Sequence, residues 1–222
     1  MDLKLAQEVQ TRYILHWNYR NLSVLPEELL QYGAHIEDLY FKENGLIEVP
    51  ENLHEKLKNL AQLYLYGNRL EKLPESIGKL QTLQILDLCR NRLATLPKSM
   101  GDQICLLLIH LSLCHIDYLV SGDLINLTTL DVSHNSLMEL PDSIGNLEKL
   151  QVLIAVKNSL IKLPTSLKNL TSLKSLHLNG NQLSALPKDL CQCLNLTDLY
   201  LEGKAKLQSK PTKIARVRVM TS

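Results

Sequence analysis

Residues 83–97 read LQILDLCRNRLATLP, and the spacing of seven side chains in this stretch decides the fold. Leu83, Leu86, Leu88, Asn91, Leu93, Leu96 and Pro97 recur in register as Leu150, Leu153, Ala155, Asn158, Leu160, Leu163 and Pro164. They recur again as Leu173, Leu176, Leu178, Asn181, Leu183, Leu186 and Pro187. The pair at 86 and 88 alternates with period two, which makes a short strand with two leucines inward and their neighbours outward. Asparagine offers two donors and an acceptor, so it can satisfy backbone groups where the chain leaves the strand. Proline then fixes φ and ends the turn. Three residues after each proline stands another apolar side chain, Leu29, Leu53, Ile77, Met100, Ile144, Leu167 or Leu190, a spacing that suits one helical turn.

The pattern is the leucine-rich repeat template, L-x-x-L-x-L-x-x-N-x-L. We place its asparagine slot at Arg20, Asn44, Asn68, Asn91, Ile116, Asn135, Asn158, Asn181 and Lys204, with gaps of 24, 24, 23, 25, 19, 23, 23 and 23. One unit is too short to bury its own apolar face, and stacking units in parallel joins those faces into one core. The expected fold class is therefore an α/β repeat solenoid: a horseshoe with a parallel concave sheet and short helical turns or irregular segments on the convex side. Residues 1–12 read as an N-terminal cap, helical from Asp2 to Arg12. Residues 13–203 read as the repeat domain of about nine units, and 204–222 as a basic tail with six basic residues and no acidic one. The fifth unit is irregular over 101–122. Its Leu111 and Leu113 take the two inward strand positions, and Ile116 replaces the asparagine. The expectation there is a distorted turn on an unbroken sheet.

The units PESIGKLQTLQILDLCRNRL and PDSIGNLEKLQVLIAVKNSL resemble the intracellular leucine-rich repeat class of Ras-suppressor, Scribble-type and plant intracellular Ras-group proteins. The resemblance covers roughly residues 12 to 203. It implies a non-catalytic scaffold or adaptor that binds a protein partner on the concave face, in intracellular signalling. Contact residues in that class sit at variable positions, so none carries over.

Composition points the same way. Leucine supplies 51 of 222 residues against one Trp and one Phe, as expected of one packing solution copied many times. A net charge of +1 gives no field for nucleic acid or acidic ligands. The start, MDLKLAQEVQ, lacks a signal-peptide apolar run, and no segment approaches the length that crosses a bilayer. Five cysteines, an odd number, fit a reducing compartment, so the chain reads as soluble and cytoplasmic. Four N-x-Ser/Thr sequons, at Asn21, Asn126, Asn169 and Asn195, argue for secretion, but three share one repeat phase and follow from the consensus.

Outward strand residues align into columns on the concave face. The central column reads His16, Tyr40, Tyr64, Asp87, Ser112, Asp131, Ile154, His177 and Tyr200, with Asp38, Gln62, Tyr66, Arg90, Arg92, His110, His115, Thr129, His134 and Lys157 beside it. Aromatic residues and arginine most often anchor protein interfaces. The candidate partner-binding set is therefore Tyr40, Tyr64, Tyr66, Asp87, Arg90, Arg92, His110, Asp131, His134, His177 and Tyr200, centred on repeats two to four. Tyrosine also suits an exposed strand face without any partner. His115 and His134 share a column near Asp131 and offer two imidazoles and a carboxylate, but no ligand motif demands a metal, and we assign none. Cys89 and Cys114 share an outward column, while Cys193 and Cys105 replace core leucines.

No Gly-x-Ser-x-Gly, P-loop, Gly-x-Gly-x-x-Gly or His-Glu-x-x-His occurs, so no enzyme, cofactor or small-molecule substrate is expected. The expected partner is a protein. The alternative is peripheral attachment to anionic membrane or nucleic acid through the basic tail.

Overall fold

The structure, a computed structural model, describes residues 2–102, 105–117, 119, 124–201 and 218–221. Only the period-two part of each repeat becomes strand, so the strands are three or four residues long. They are β1 (Ile14–His16), β2 (Asp38–Tyr40), β3 (Gln62–Tyr64), β4 (Ile85–Asp87), β5 (Leu108–His110), β6 (Thr129–Asp131), β7 (Val152–Ile154), β8 (Ser175–His177), β9 (Asp198–Leu201) and β10 (Arg218–Thr221). They form one sheet in chain order, every neighbouring pair parallel. Of the 204–222 tail, residues 204–217 and 222 lie outside the described residues, as do 202 and 203, and Arg218–Thr221 continues the sheet beside β9.

Two inward columns build the core. One runs Leu15, Leu39, Leu63, Leu86, Ile109, Leu130, Leu153, Leu176 and Leu199; the other runs Trp17, Phe41, Leu65, Leu88, Leu111, Val132, Ala155, Leu178 and Leu201. All are buried and belong to one continuous cluster that extends along the solenoid. Opposite the sheet, helices α2 (Glu27–Tyr32) and α3 (Leu53–Lys56) and single 3-10 turns such as Glu75–Lys79 and Asp142–Asn146 follow the prolines. They bury Leu29, Leu53, Ile77, Met100, Ile144, Leu167 and Leu190. These turns pack closely: a Cβ on Gly145 would stand 2.6 Å from the carbonyl oxygen of Ser166, so the position requires glycine.

The N-terminal end of the core is covered by α1 (Leu3–Thr11), which buries Ala6 and Val9. Asp2 caps it, its Oδ1 accepting the Lys4 N–H at 2.9 Å. Arg20 holds the asparagine slot of the first repeat, where no earlier repeat exists to bridge. Its guanidinium instead donates to both carboxylate oxygens of Glu8 on α1, each at 3.0 Å.

Elsewhere the slot is a ladder. Each Oδ1 accepts the N–H two residues past the slot of the preceding repeat: Leu22 to Asn44, Leu46 to Asn68, Leu70 to Asn91, Ile116 to Asn135, Leu137 to Asn158 and Leu160 to Asn181, at 3.0–3.1 Å. Each Nδ2 donates back to a carbonyl of the second inward column, Trp17, Phe41, Leu65, Leu111, Val132 or Ala155, at 2.7–2.9 Å. One side chain thus satisfies backbone on both sides of a repeat boundary.

The fifth repeat differs from its sequence reading. The strand residue paired with Leu86 is Ile109, not Leu111, and Ile109 pairs in turn with Leu130. The whole unit shifts by two residues, so Cys114, not Ile116, fills the asparagine slot. The Cys114 thiol donates to the Leu88 carbonyl at 3.0 Å, the bond Nδ2 makes elsewhere. Ile116 is a fully buried equivalent of Leu93 and Leu137. A left-handed residue precedes each described slot, Tyr19, Glu43, Gly67, Arg90, Leu113, His134, Lys157 and Gly180, and Leu113 (φ 59°) and His115 (φ 67°) flank Cys114 as Tyr19 and Asn21 flank Arg20. The gaps around the slot become 23 and 21. The approach to β5 is therefore regular, and the two missing residues fall between Leu119 and Leu124, mostly outside the described residues. The sheet runs unbroken through the repeat. Cys105 is half-buried, and its neighbour Leu106 takes the core position; Cys193 is buried as read.

Asn91→Ala strips partners from Leu70 N–H and two carbonyls in the core and is expected to cost on the order of 3 kcal/mol in chemical denaturation. Cys114→Asn supplies the strong acceptor that a thiol lacks and is expected to add about 0.5–2 kcal/mol. An Asn91→Ala protein of unchanged stability contradicts the ladder.

Candidate functional site: the concave row

The register sets one unbroken outward row: His16, Tyr40, Tyr64, Asp87, His110, Asp131, Ile154, His177 and Tyr200. His110 replaces the expected Ser112, because of the two-residue shift. In-register parallel strands lie about 4.8 Å apart, close to the stacking distance of aromatic rings. The rings use it: His16 stacks on Tyr40 at 4.6 Å, Tyr40 on Tyr64 at 4.4 Å and 9°, and His177 on Tyr200 at 4.1 Å and 10°.

Polar groups tie the first stack to the middle of the row. The Tyr64 hydroxyl donates to Gln62 Oε1 at 2.8 Å. The Lys42 ammonium lies 4.5 Å over the Tyr64 ring and 3.6 Å from Asp87 Oδ2. Burial, Tyr40 and the nearby Asp38 and Asp87 carboxylates push the Tyr64 phenol up to about 12, so it is a neutral donor at physiological pH. Burial and Glu37 raise Asp38 above the usual carboxylate value, with His16 pulling the other way. Arg90 lies 5.4 Å over the Tyr66 ring.

The remaining candidates separate from this group. Arg92 is exposed beyond Asn91, on the chain leaving the sheet. His134 is exposed in the left-handed position, where its counterpart in the preceding repeat is Leu113, not His115. The His115, His134 and Asp131 grouping is therefore not assembled. Nor do Cys89 and Cys114 share an outward column: Cys114 is buried in the ladder, and Cys89 stands on the outward face of the chain leaving β4. Burial drives both thiols up, Cys114 to about 11, and beside Cys89 the Asp87 carboxylate adds to it. Among the described residues, Asp87, Cys89 and His110 form a group whose ligand atoms all lie within 4.8 Å of one another. Lys42 and Cys89, two residues past Tyr40 and Asp87, follow those residues on the same side of the sheet, the signal that could have found them.

The Leucine Rich Repeat family model matches residues 59–80, 126–147 and 172–194. This is a leucine-rich repeat protein. Over 134 residues it is 32% identical to the human volume-regulated anion channel subunit LRRC8A, covering 60% of this chain and 14% of that protein. The chain thus spans a small part of the length of the curated relatives it matches. Among solved structures, a leucine-rich repeat protein of Leptospira interrogans superimposes with a TM-score of 0.82 at 29% identity, covering 95% of this chain and 59% of that one. The ectodomain of the Arabidopsis thaliana membrane receptor kinase GASSHO1/SCHENGEN3, in complex with CASPARIAN STRIP INTEGRITY FACTOR 2, matches with a TM-score of 0.66 at 29% identity, over 80% of this chain and 22% of that one. Leucine-rich repeat proteins generally mediate protein–protein interaction, and their extended concave surfaces are what they bind with. Among the described residues no helix is long and apolar enough to cross a membrane.

Burial lowers His177 below its ordinary 6.5, against the opposing pull of Asp131 and Asp198. The folded state then binds fewer protons than the unfolded one, so the stability held above pH 6.5 falls as pH drops through the lowered value. An NMR titration is expected to place His177 below 6.5, and His177→Phe to flatten this part of the stability profile.

Proposed function

We propose that this protein is a non-enzymatic scaffold or adaptor of the intracellular leucine-rich repeat class, holding a protein partner on its concave face in signalling. The observation that carries the reading is the row of stacked rings from His16 through Tyr64, continued by Lys42 and Asp87. Stacked rings are already ordered, so a partner that covers them gains apolar contact without the cost of freezing loose side chains. Lys42 and Asp87 place opposite charges at the edge of the stack, which fixes the orientation of what docks there. The Arabidopsis ectodomain, which shares the architecture, was crystallised in complex with CASPARIAN STRIP INTEGRITY FACTOR 2, and this supports a binding role here. The open face of short strands and evenly spaced polar groups also differs from the enclosed apolar pocket that small-molecule chemistry uses.

Proximity labelling and pull-down with the full chain, repeated with Tyr64→Ala and Tyr66→Ala combined, test the reading. The partner is expected to lose affinity by about 30-fold or more, the effect of removing an interface anchor. A partner that binds the double variant at full affinity refutes it.

A further inference from the structure

The middle of the concave row holds chemistry beyond what partner docking uses, in Cys89 and His110 beside Asp87. Asp87 closes β4, Cys89 follows it two residues later, and His110 is the register partner of Asp87 on β5. Two outward positions two apart, one closing a strand and one just past it, can meet the facing position on the next strand. Here they do converge. A carboxylate oxygen, the Cys89 sulfur and a His110 ring nitrogen all lie within 4.8 Å of one another. Asp87 is only 7% exposed, and Cys89 and His110 are half-buried, so the point is partly shielded from water yet open toward the concavity.

We propose that Asp87, Cys89 and His110 bind a divalent transition-metal ion of the zinc class. Thiolate, imidazole and carboxylate are together the donor set of zinc, and of neither calcium nor magnesium, which take oxygen alone. Around a tetrahedral zinc the ligand atoms stand about 3.5 Å apart, so the group closes by roughly an ångström through side-chain rotation on a fixed backbone. Two features prepare it. The Asp87 Oδ1 accepts the Cys89 backbone N–H at 3.2 Å, which orients the carboxylate while leaving it further lone pairs. Asp131 is the register partner of His110 on β6, so the next residue of the row is a carboxylate, the kind of group that accepts from the second nitrogen of a metal-bound imidazole. Lys42, 3.6 Å from Asp87 Oδ2, is the cation the metal displaces. Three protein ligands leave the fourth tetrahedral position facing the concavity, open to water.

Cobalt(II) is the probe, added to the full chain kept reduced by a phosphine. The expected result is a thiolate-to-cobalt charge-transfer band that saturates at one equivalent and is removed by one equivalent of zinc. Cys89→Ser abolishes the band. His110→Ala weakens binding by at least the roughly 10–100-fold that loss of an outer-shell partner costs. Cys191→Ser, outside the trio, leaves both unchanged, and Lys42→Met tightens binding. Circular dichroism reports whether each variant is folded. A parent protein without the band overturns the proposal whatever the variants do, and so does a band that survives in folded Cys89→Ser.

Discussion

A ladder of six amide side chains, one at each slot that holds asparagine, keeps this molecule in register. A solenoid's strands pair only with their neighbours, and each chain segment leaving the sheet carries backbone donors and acceptors into the interior. Asn44, Asn68, Asn91, Asn135, Asn158 and Asn181 meet that need by accepting from one repeat boundary and donating across it. A buried polar group without a partner costs about as much as a hydrogen bond is worth or more. The ladder therefore specifies which strand residue faces which, while the leucines supply the bulk of the driving force without specifying it.

The fifth repeat shows the difference between the two. Its segment LLLIHLSL offers three overlapping pairs of inward residues, and a slip by two keeps every side chain on the same face. Hydrophobic pattern alone cannot choose among them. The choice lies with Cys114, a small donor whose thiol reaches the Leu88 carbonyl. Outside the fifth repeat, the convex apolar positions, the strand pairs and the ladder asparagines were legible in the sequence, because each rests on a fixed spacing. The end of the 204–222 segment was not: Arg218–Thr221 has no repeat motif before it, yet its backbone pairs with β9.

The candidate site was legible to the extent that the register was. Tyr40, Tyr64 and Asp87 follow regular gaps and fall where the columns put them. His110 enters the row, and Ser112 leaves it, only once Cys114 holds the slot. That change brings an imidazole beside Asp87 and Cys89 and separates His115 from His134. Stacking was also implicit in the register, since like positions on parallel strands repeat at nearly the spacing that aromatic rings prefer. Lys42 was harder to see, because its role lies in bridging a ring on the next strand, β3, and a carboxylate on the one after, β4.

The continuity of the concave row, and the Asp87, Cys89 and His110 group within it, thus depend on how β5 lies between β4 and β6. Cross-strand nuclear Overhauser contacts in the folded full chain measure this directly. The account predicts backbone contacts of Ile109 with Leu86 and Leu130, and of His110 with Asp87 and Asp131. Contacts of Leu111 with Leu86 and Leu130 in their place would contradict it.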